Sequence, residues 1–404
     1  MKKLMILTSV YTGHGHKSIS DSLAEAFQQY SDLQVDVAEA FLLIGEAGIR
    51  LSKMYGPMTR NARELWKLTY ALSNRSDHLV SSTMSGLIHD RFMQKLSQSK
   101  PDMILTVHPM FNGSVLNILD YYGIDVPLIA LQADIINIHR TWCDPRAHRT
   151  LCPTEEAYAA SIAMDMPPER LVKCGFPTRA QFIRAAQTIE RREYDGVRPL
   201  ECLMMSGGEG SGNMQRYAVE LLNRFNCNID ILCGRNAALR RALDRELTKK
   251  YGARVRVHGF VADVETYMMR SDLVIARGSP NSLMEAVVCN VPVLITGALP
   301  GQEADNPSLM ERHHLGVMCP SPSAVKRVVS DLVADGGAQL KDIIRAQREY
   351  RNFDNAKNIA DLVYREIRPL SYQVPPYRLR FHAPDLLASD LRTSRTSARR
   401  LPRQ

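Results

Sequence analysis

The sequence predicts an α/β chain built from two doubly wound parallel sheets, and three observations carry that expectation. Short apolar runs alternate with amphipathic stretches along nearly all of the 404 residues, which is the pattern of parallel strands covered by helices on both faces. The alternation starts afresh near residue 200, after the polar stretch TIERREYDGVRP at 188–199. Two glycine-rich loops, at 12–18 and 206–213, each follow an apolar run and precede a helical pattern, the place where doubly wound folds hold ligands. We therefore expect an N-terminal domain over 1–190, a C-terminal domain over 200–353, a closing helix over 354–370 and a basic tail over 371–404.

Taken in order, the apolar run at 3–9 reads as a buried strand, followed by a helix after His16 and a strand near Val35. Further strands are expected at 103–107, following Pro101-Asp102, at 127–131, and briefly at 171–173. The second half offers 201–205, 229–233, 254–258, 273–276 and 291–295, each followed by a helical stretch. Residues 354–368 read as the last helix. Between 41 and 75 the alternation lapses, and six basic residues stand against two acids among Phe41, Leu42, Leu43, Tyr55, Trp66 and Tyr70. That mixture suits a membrane interface, apolar face down and cations at the headgroups; the alternative is two core-facing helices.

Composition narrows the class. With 45% apolar and 23% charged residues, neither wholesale disorder nor a coiled coil is credible. The longest greasy stretch, 284–299, is broken by Glu285, Asn290 and Pro292, so no spanning helix is expected. The start, MKKLMILTSV, has the charges and apolar run of a signal peptide, but the run is short and leads into TGHGHKS without a small-residue cleavage site, so it reads as the first strand of a cytosolic protein. Eight cysteines without a C-x-x-C pair read as reduced, buried thiols rather than a zinc site. Of the formal +8, the tail from 371 to 404 supplies +5, with seven arginines against two aspartates. Such a tail suits anionic lipid or nucleic acid by counter-ion release; the alternative is a solvated end.

The chemistry-bearing residues fall in three stretches. In TGHGHKS, Gly13 and Gly15 make a tight turn at the carboxyl end of a strand. His16 stands where a Walker A loop needs glycine, so this is not a phosphate loop of that kind. Histidine has the pKa range to take a proton from a hydroxyl; the alternative for His16 is a helix-capping role. In SGGEGSGN, at 206–213, backbone N–H groups and a helix start can face a diphosphate; the alternative is a plain glycine-rich turn. The spacing is not G-x-G-x-x-G and no acid closes a following strand, which favours a nucleoside diphosphate over a dinucleotide. In ARGSPNSLMEAVVCNVPVLITGALPGQEADN, at 276–306, Glu285 can accept both hydroxyls of a ribose. Gln302, Glu303 and Asn306 supply the directional partners that a sugar demands. Arg277 and the 206–213 loop can stabilise charge on a departing diphosphate. With no D-x-D at a strand end, no metal is expected.

On these residues the chain resembles the GT-B glycosyltransferases of the diacylglycerol-sugar branch, which includes monogalactosyldiacylglycerol synthase and the processive diacylglycerol glucosyltransferase. The resemblance runs over about residues 1–368 and takes in the aromatic section at 64–70, TVHP at 106–109, Asp134, His139, Trp142 and GFP at 175–177. It implies two Rossmann-like domains facing a central cleft, with a UDP-sugar held by the second and an acceptor by the first. Carried over by position, it implies that His16 and Asp134 lie near the reacting centre. Gly207, Gly208 and Ser211 then belong to the diphosphate loop, Glu285 to ribose, and Gln302 and Glu303 to the donor sugar. Gly13, Gly15, His108 and Trp142 complete the acceptor side. Two departures stand out: His14 replaces a glycine of the family's Gly-Gly-Gly-His, and Ser279-Pro-Asn-Ser282 replaces its Gly-Gly-Leu-Thr.

The expected activity is an inverting transfer of a sugar, glucose or galactose, from a UDP-sugar to a hydroxyl of diacylglycerol or a related lipid, with His16 or Asp134 as base. No cofactor is expected, since the UDP-sugar is a substrate. The expected partners are the UDP-sugar, the lipid acceptor and an anionic membrane surface, with no nucleic acid, and the expected place is the inner face of the cell membrane, held peripherally from the cytoplasm. The alternatives are a UDP-sugar epimerase of the same architecture and a non-catalytic nucleotide- or lipid-binding relative.

Overall fold

The computed structural model describes residues 1–10, 14–46, 48–50, 52, 58, 62–205 and 214–376. Gly13, Tyr55, the loop residues Gly207, Gly208 and Ser211, and the arginines of the tail lie outside the described residues, as does the side chain of His14.

Among the described residues, twelve short strands form two parallel six-stranded sheets. The first holds β1 (Lys2–Thr8), β2 (Leu33–Glu39), β3 (Met103–Thr106), β4 (Leu128–Leu131), β5 (Arg149–Cys152) and β6 (Leu171–Lys173) in the order β2-β1-β3-β4-β5-β6. The second holds β7 (Leu200–Met205), β8 (Cys227–Leu232), β9 (Val255–His258), β10 (Leu273–Ala276), β11 (Val293–Ile295) and β12 (Gly316–Met318) in the order β12-β11-β10-β7-β8-β9. Every residue of β3, β4 and β10 is buried, as expected of strands with helices on both faces. Strands β5 and β12 have no counterpart among the expected ones. RTLC opens on arginine and GVM on glycine, and neither is long enough to show a period.

The connecting helices are α1 (His14–Phe27), α2 (Arg63–Arg75), α3 (Asp77–Ser99), α4 (Asn112–Tyr122), α5 (Glu155–Ile162), α6 (Ala180–Thr188), α7 (Met214–Arg224), α8 (Ala237–Leu243), α9 (Val264–Met269), α10 (Pro280–Val288), α11 (Asn306–Arg312), α12 (Val325–Tyr350) and α13 (Asn355–Glu366). Helix α12 is broken at Ala334, Asp335, Gly336 and Gly337, where the backbone leaves the helical region. Each sheet reverses its strand order once, between β1 and β3 and between β7 and β10. At such a switch point the loops leave in opposite directions and open a crevice at the carboxyl ends of the strands.

Two crossings join the halves. Helix α6 packs on α9 and α10 of the second sheet, and α13 returns to pack on α1 of the first. Between the crossings opens a cavity of about 570 Å3, lined by Cys174, Thr178, Val288, Arg351, Asn355 and Arg365 among others. It lies at the hinge, away from the switch points.

The irregular stretch between 41 and 75 divides between its two readings. Phe41 and Leu43 are buried in the core beside α3 and α4. On α2 the side chains of Leu65, Leu68 and Leu72 are 56–57% exposed and share one face, whereas Trp66 and Tyr70 are half-buried. The apolar surface offered to solvent is thus leucine rather than aromatic. Among the described residues no helix is long and apolar enough to cross a membrane.

The switch point of the second sheet is tied by a buried ion pair. Arg198 Nη1 and Nη2 donate to both oxygens of Asp272 at 2.7 and 2.6 Å, and Asp272 Oδ2 also accepts the Glu201 N–H at 2.9 Å, joining the feet of β7 and β10. Removing one member of such a pair leaves a buried charge uncompensated. We expect Arg198→Met to cost about 3–5 kcal/mol of stability, measured by denaturant unfolding; a loss below about 1 kcal/mol would show that the pair is not what ties the sheet.

Candidate functional site

Three polar side chains come together at the carboxyl ends of β1, β3 and β4. His16, in the first turn of α1, is buried, and its Nδ1 lies 2.6 Å from the Val107 carbonyl just past β3. A carbonyl only accepts, so Nδ1 carries the proton and Nε2 is left as the acceptor. Burial pushes the pKa of His16 down to about 4, against the pull of the Val107 bond, so the ring is neutral at pH 7. The start of α1 is held to β1 by Ser20, whose hydroxyl donates to Thr8 Oγ1 at 2.7 Å. His108 lies beside His16, with ring centroids 4.5 Å apart. Burial, and then the neighbouring His16, holds it well below the ordinary histidine range.

Asp134 follows β4 and is 2% exposed. Its Oδ2 accepts the indole N–H of Trp142 at 2.8 Å and its Oδ1 accepts Gln302 Nε2 at 3.0 Å. Burial raises its pKa to about 6; the two hydrogen bonds oppose this and the Glu303 carboxylate adds to it. Trp142, expected on the acceptor surface, is wholly buried in the core. Its indole N–H is spent on Asp134, so it positions that carboxylate rather than lining the cleft.

From the second sheet come the residues after β10 and β11. Glu303 Oε2 accepts the Leu299 N–H at 2.9 Å and lies 3.3 Å from Arg277 Nε. Asn306 is fully buried, its Nδ2 donating to the Gly278 carbonyl at 2.8 Å. Two of the three residues expected on the sugar therefore also pin the two loops to each other. Glu285 is buried on α10, and Arg179 Nε meets its Oε1 at 2.7 Å. Burial raises the Glu285 pKa while Arg179 pulls it back. Arg179 carried no signal in the sequence, since it stands 106 residues from its partner.

The two halves touch across the cleft in several places. A Cβ on Gly15 would lie 3.0 Å from Asn281 Nδ2, so glycine lets the first turns of α1 and α10 approach. Both helix starts direct their dipoles and N–H groups into the cleft, a setting that attracts anions. Gly301 has φ +84°, and a Cβ there would fall 2.7 Å from Tyr70 Cδ1 of α2. Tyr70 also donates to the Asn137 carbonyl at 3.1 Å. Asn137 Nδ2 donates to Asp305 Oδ2 at 2.6 Å, and the Asp305 N–H donates to Asn137 Oδ1 at 2.8 Å. Farther out, Glu156 of α5 accepts from His313 at 2.8 Å and from Arg312 at 3.2 Å. The arrangement offers an unprotonated imidazole nitrogen and, reaching the opposite sheet through Gln302, a carboxylate, the two groups that proton removal at a positioned hydroxyl can use.

Comparison with known proteins agrees with this architecture. The family model for monogalactosyldiacylglycerol (MGDG) synthase matches residues 16–178, and that for group 1 glycosyl transferases matches residues 217–335. A probable monogalactosyldiacylglycerol synthase 2, chloroplastic, of Oryza sativa subsp. indica is 27% identical over 347 residues, covering 81% of this chain and 73% of its own. Monogalactosyldiacylglycerol synthase 3, chloroplastic, of Arabidopsis thaliana is 25% identical over 393 residues, covering 91% and 83%. Among solved structures, MurG of Acinetobacter baumannii superposes with a TM-score of 0.60 at 12% identity, covering 90% of this chain and all of its own. The S. aureus MnaA–UDP co-structure gives 0.60 at 16% identity, covering 92% and 100%.

The Trp142 hydrogen bond favours the charged form of Asp134, so deleting it should raise the Asp134 pKa above about 6. Loss of one charged hydrogen bond, roughly 1.5–3 kcal/mol, corresponds to about one to two pH units. Carboxyl titration of Trp142→Phe by carbon-13 NMR should show the upward move; an unchanged or lower midpoint would remove Trp142 from its positioning role.

Proposed function

We propose, for a chain that belongs to the monogalactosyldiacylglycerol synthase family of GT-B glycosyltransferases, that it transfers glucose or galactose from UDP to a hydroxyl of diacylglycerol or a related lipid, with inversion. The observation that carries the reading is a neutral His16 with Nε2 unprotonated, its ring 6.5 Å from that of Trp142, whose indole N–H holds an Asp134 that reaches the donor-side loop through Gln302. In the proposed step the acceptor hydroxyl gives its proton to His16 Nε2. Its oxygen bonds to the anomeric carbon from the face opposite UDP, and the bond from that carbon to the diphosphate oxygen breaks, leaving its electron pair on UDP. Asp134, ionised above about pH 6, orients the hydroxyl and balances the imidazolium as it forms.

The donor side follows the same logic. Glu285 would accept the ribose hydroxyls, Gln302 and Glu303 would contact the sugar, and Gly207, Gly208 and Ser211 would cradle the diphosphate. Arg277, tethered by Glu303, and the facing starts of α1 and α10 supply positive potential for departing UDP. Asn306, fully buried with its Nδ2 on the Gly278 carbonyl, would hold the shape of the donor loop rather than touch the sugar. The lipid acceptor is supported by the relatives' printed names and by the leucine face of α2 beside the cleft. That face would rest on the inner leaflet of the cell membrane, with the cation-rich tail as a second contact.

His16→Ala should lower kcat by about a hundredfold to ten-thousandfold with UDP affinity unchanged, read as UDP release from UDP-glucose or UDP-galactose with diacylglycerol vesicles. In the wild type, turnover should fall as pH drops through about 6, because a raised carboxyl pKa means that Asp134 takes up its proton there. In Asp134→Asn the acid limb should move down towards about 4, where His16 protonates. Turnover of His16→Ala within a few-fold of wild type would sink the assignment of the base. Sugar isomerisation without any acceptor would point instead to an epimerase.

Vesicle sedimentation tests the surface. Binding should rise with anionic lipid content, and changing Leu65, Leu68 and Leu72 together to Gln should weaken it roughly tenfold or more, given the apolar area removed. Equal absence of binding to neutral and anionic vesicles would shift the acceptor towards a water-soluble molecule.

A further inference from the structure

We propose that Asn137 and Asp305 form a positioning pair that latches the acceptor-side loop to the donor-side loop and so holds Gln302 on Asp134; the proposal rests on the reading of that centre given above. Asn137 lies three residues after Asp134, and Asp305 lies three residues after Gln302. Both contacts therefore span 168 residues. Two short segments run in step across the cleft, with the catalytic contact as one rung and Asn137–Asp305 as the next.

The second rung is closed by two complementary hydrogen bonds. The Asn137 amide donates to the Asp305 carboxylate at 2.6 Å, and its oxygen accepts the Asp305 N–H at 2.8 Å. Few side chains other than Asn and Gln offer donor and acceptor in that geometry. Asp305 immediately precedes α11, so its backbone is held by the helix start. Asn137 is braced from behind, where Tyr70 donates to its carbonyl at 3.1 Å. His139 and Arg140, two and three residues on, are held by Ser73 and Asn74 of the same helix at 3.0 and 2.7 Å. Both ends of the latch thus sit on rigid elements, and its closure fixes the distance between them. The halves are joined by two crossings at the hinge, which allows the cleft to open unless such contacts hold it. Neither residue is placed on the reacting atoms; the pair acts through Gln302 and Asp134.

An exchange of partners tests the latch. Asn137→Asp sets two carboxylates against each other and removes the amide donor, so turnover should fall about tenfold or more while UDP affinity, read by calorimetry, stays within about twofold. Asp305→Asn keeps a donor and an acceptor on each side and should cost only two- to threefold. The double variant, Asn137→Asp with Asp305→Asn, reverses the direction of the side-chain bond while keeping the backbone one. It should recover most of the turnover lost in Asn137→Asp. Hydrogen exchange gives a readout independent of activity: the Asp305 amide should lose protection in Asn137→Asp and regain it in the double variant. Wild-type protection and turnover in Asn137→Asp, or a double variant no better than Asn137→Asp in both measurements, would overturn the latch. Should the wild type transfer no sugar to any lipid, the functional reading fails by itself, and the exchange data still decide the latch.

Discussion

The bond that His16 Nδ1 donates to the Val107 carbonyl joins the start of α1, the helix that follows β1, to the end of β3, and β1 and β3 are the neighbouring strands between which the first sheet reverses its order. Residue Leu7 stands opposite Thr106 in the register, and the Val107 N–H continues the ladder to the Leu7 carbonyl at 3.0 Å. The carbonyl that fixes the imidazole is thus the next group of the sheet itself. It sets the ring's orientation and its tautomer together, because an acceptor on Nδ1 leaves Nε2 bare. Burial then keeps the ring neutral. A bare, neutral nitrogen at the switch point is what the proposed chemistry requires, and each part of that condition derives from the topology.

The second sheet takes part in the electrostatics of the first. Burial is the largest influence on Asp134, followed by the Trp142 and Gln302 hydrogen bonds and the Glu303 charge. Two of those contributions, and part of the burial, come from the loop after β11. The acidity of Asp134 therefore depends on how closely the halves approach, and a carboxylate in an opened cleft regains water and an ordinary pKa. Gly15 against Asn281 and Gly301 against Tyr70 show how close that approach is. At both places a methyl group would have to displace a neighbour.

Much of this was legible in the chain because it rests on local patterns. Ten of the twelve strands announce themselves as apolar runs, and the residues that stand at strand ends, His16, His108, Asp134 and Gln302, meet around one cleft. What periodicity does not carry is pairing at long range. Arg179, Asn137 and Asp305 are ordinary residues in loops, and packing brings Arg179 to Glu285 and Asn137 to Asp305 over 106 and 168 residues. Nor does a motif reveal which way a side chain points. Trp142 and Asn306 have the chemistry of binding residues, yet both are fully buried, one supporting Asp134 and the other the Gly278 loop.

Helix α2 connects these observations to the proposed acceptor. Its inner side, Tyr70, Ser73 and Asn74, holds the loop that carries Asn137, His139 and Arg140, while Leu65, Leu68 and Leu72 point outward. Helices are about 10–12 Å across with their side chains, so a surface resting on the leucines lies about that distance from the loop flanking Asp134. On the proposed function, a diacylglycerol hydroxyl delivered from a bilayer beneath that face has about the thickness of one helix to cross to that loop. An acceptor wholly dissolved in water would gain nothing from an apolar face in that place. On the proposed function, the exposed leucines, costly to leave in water at roughly 25 cal/mol per Å2 of apolar surface, have their physical reason in a lipid acceptor drawn from a membrane surface.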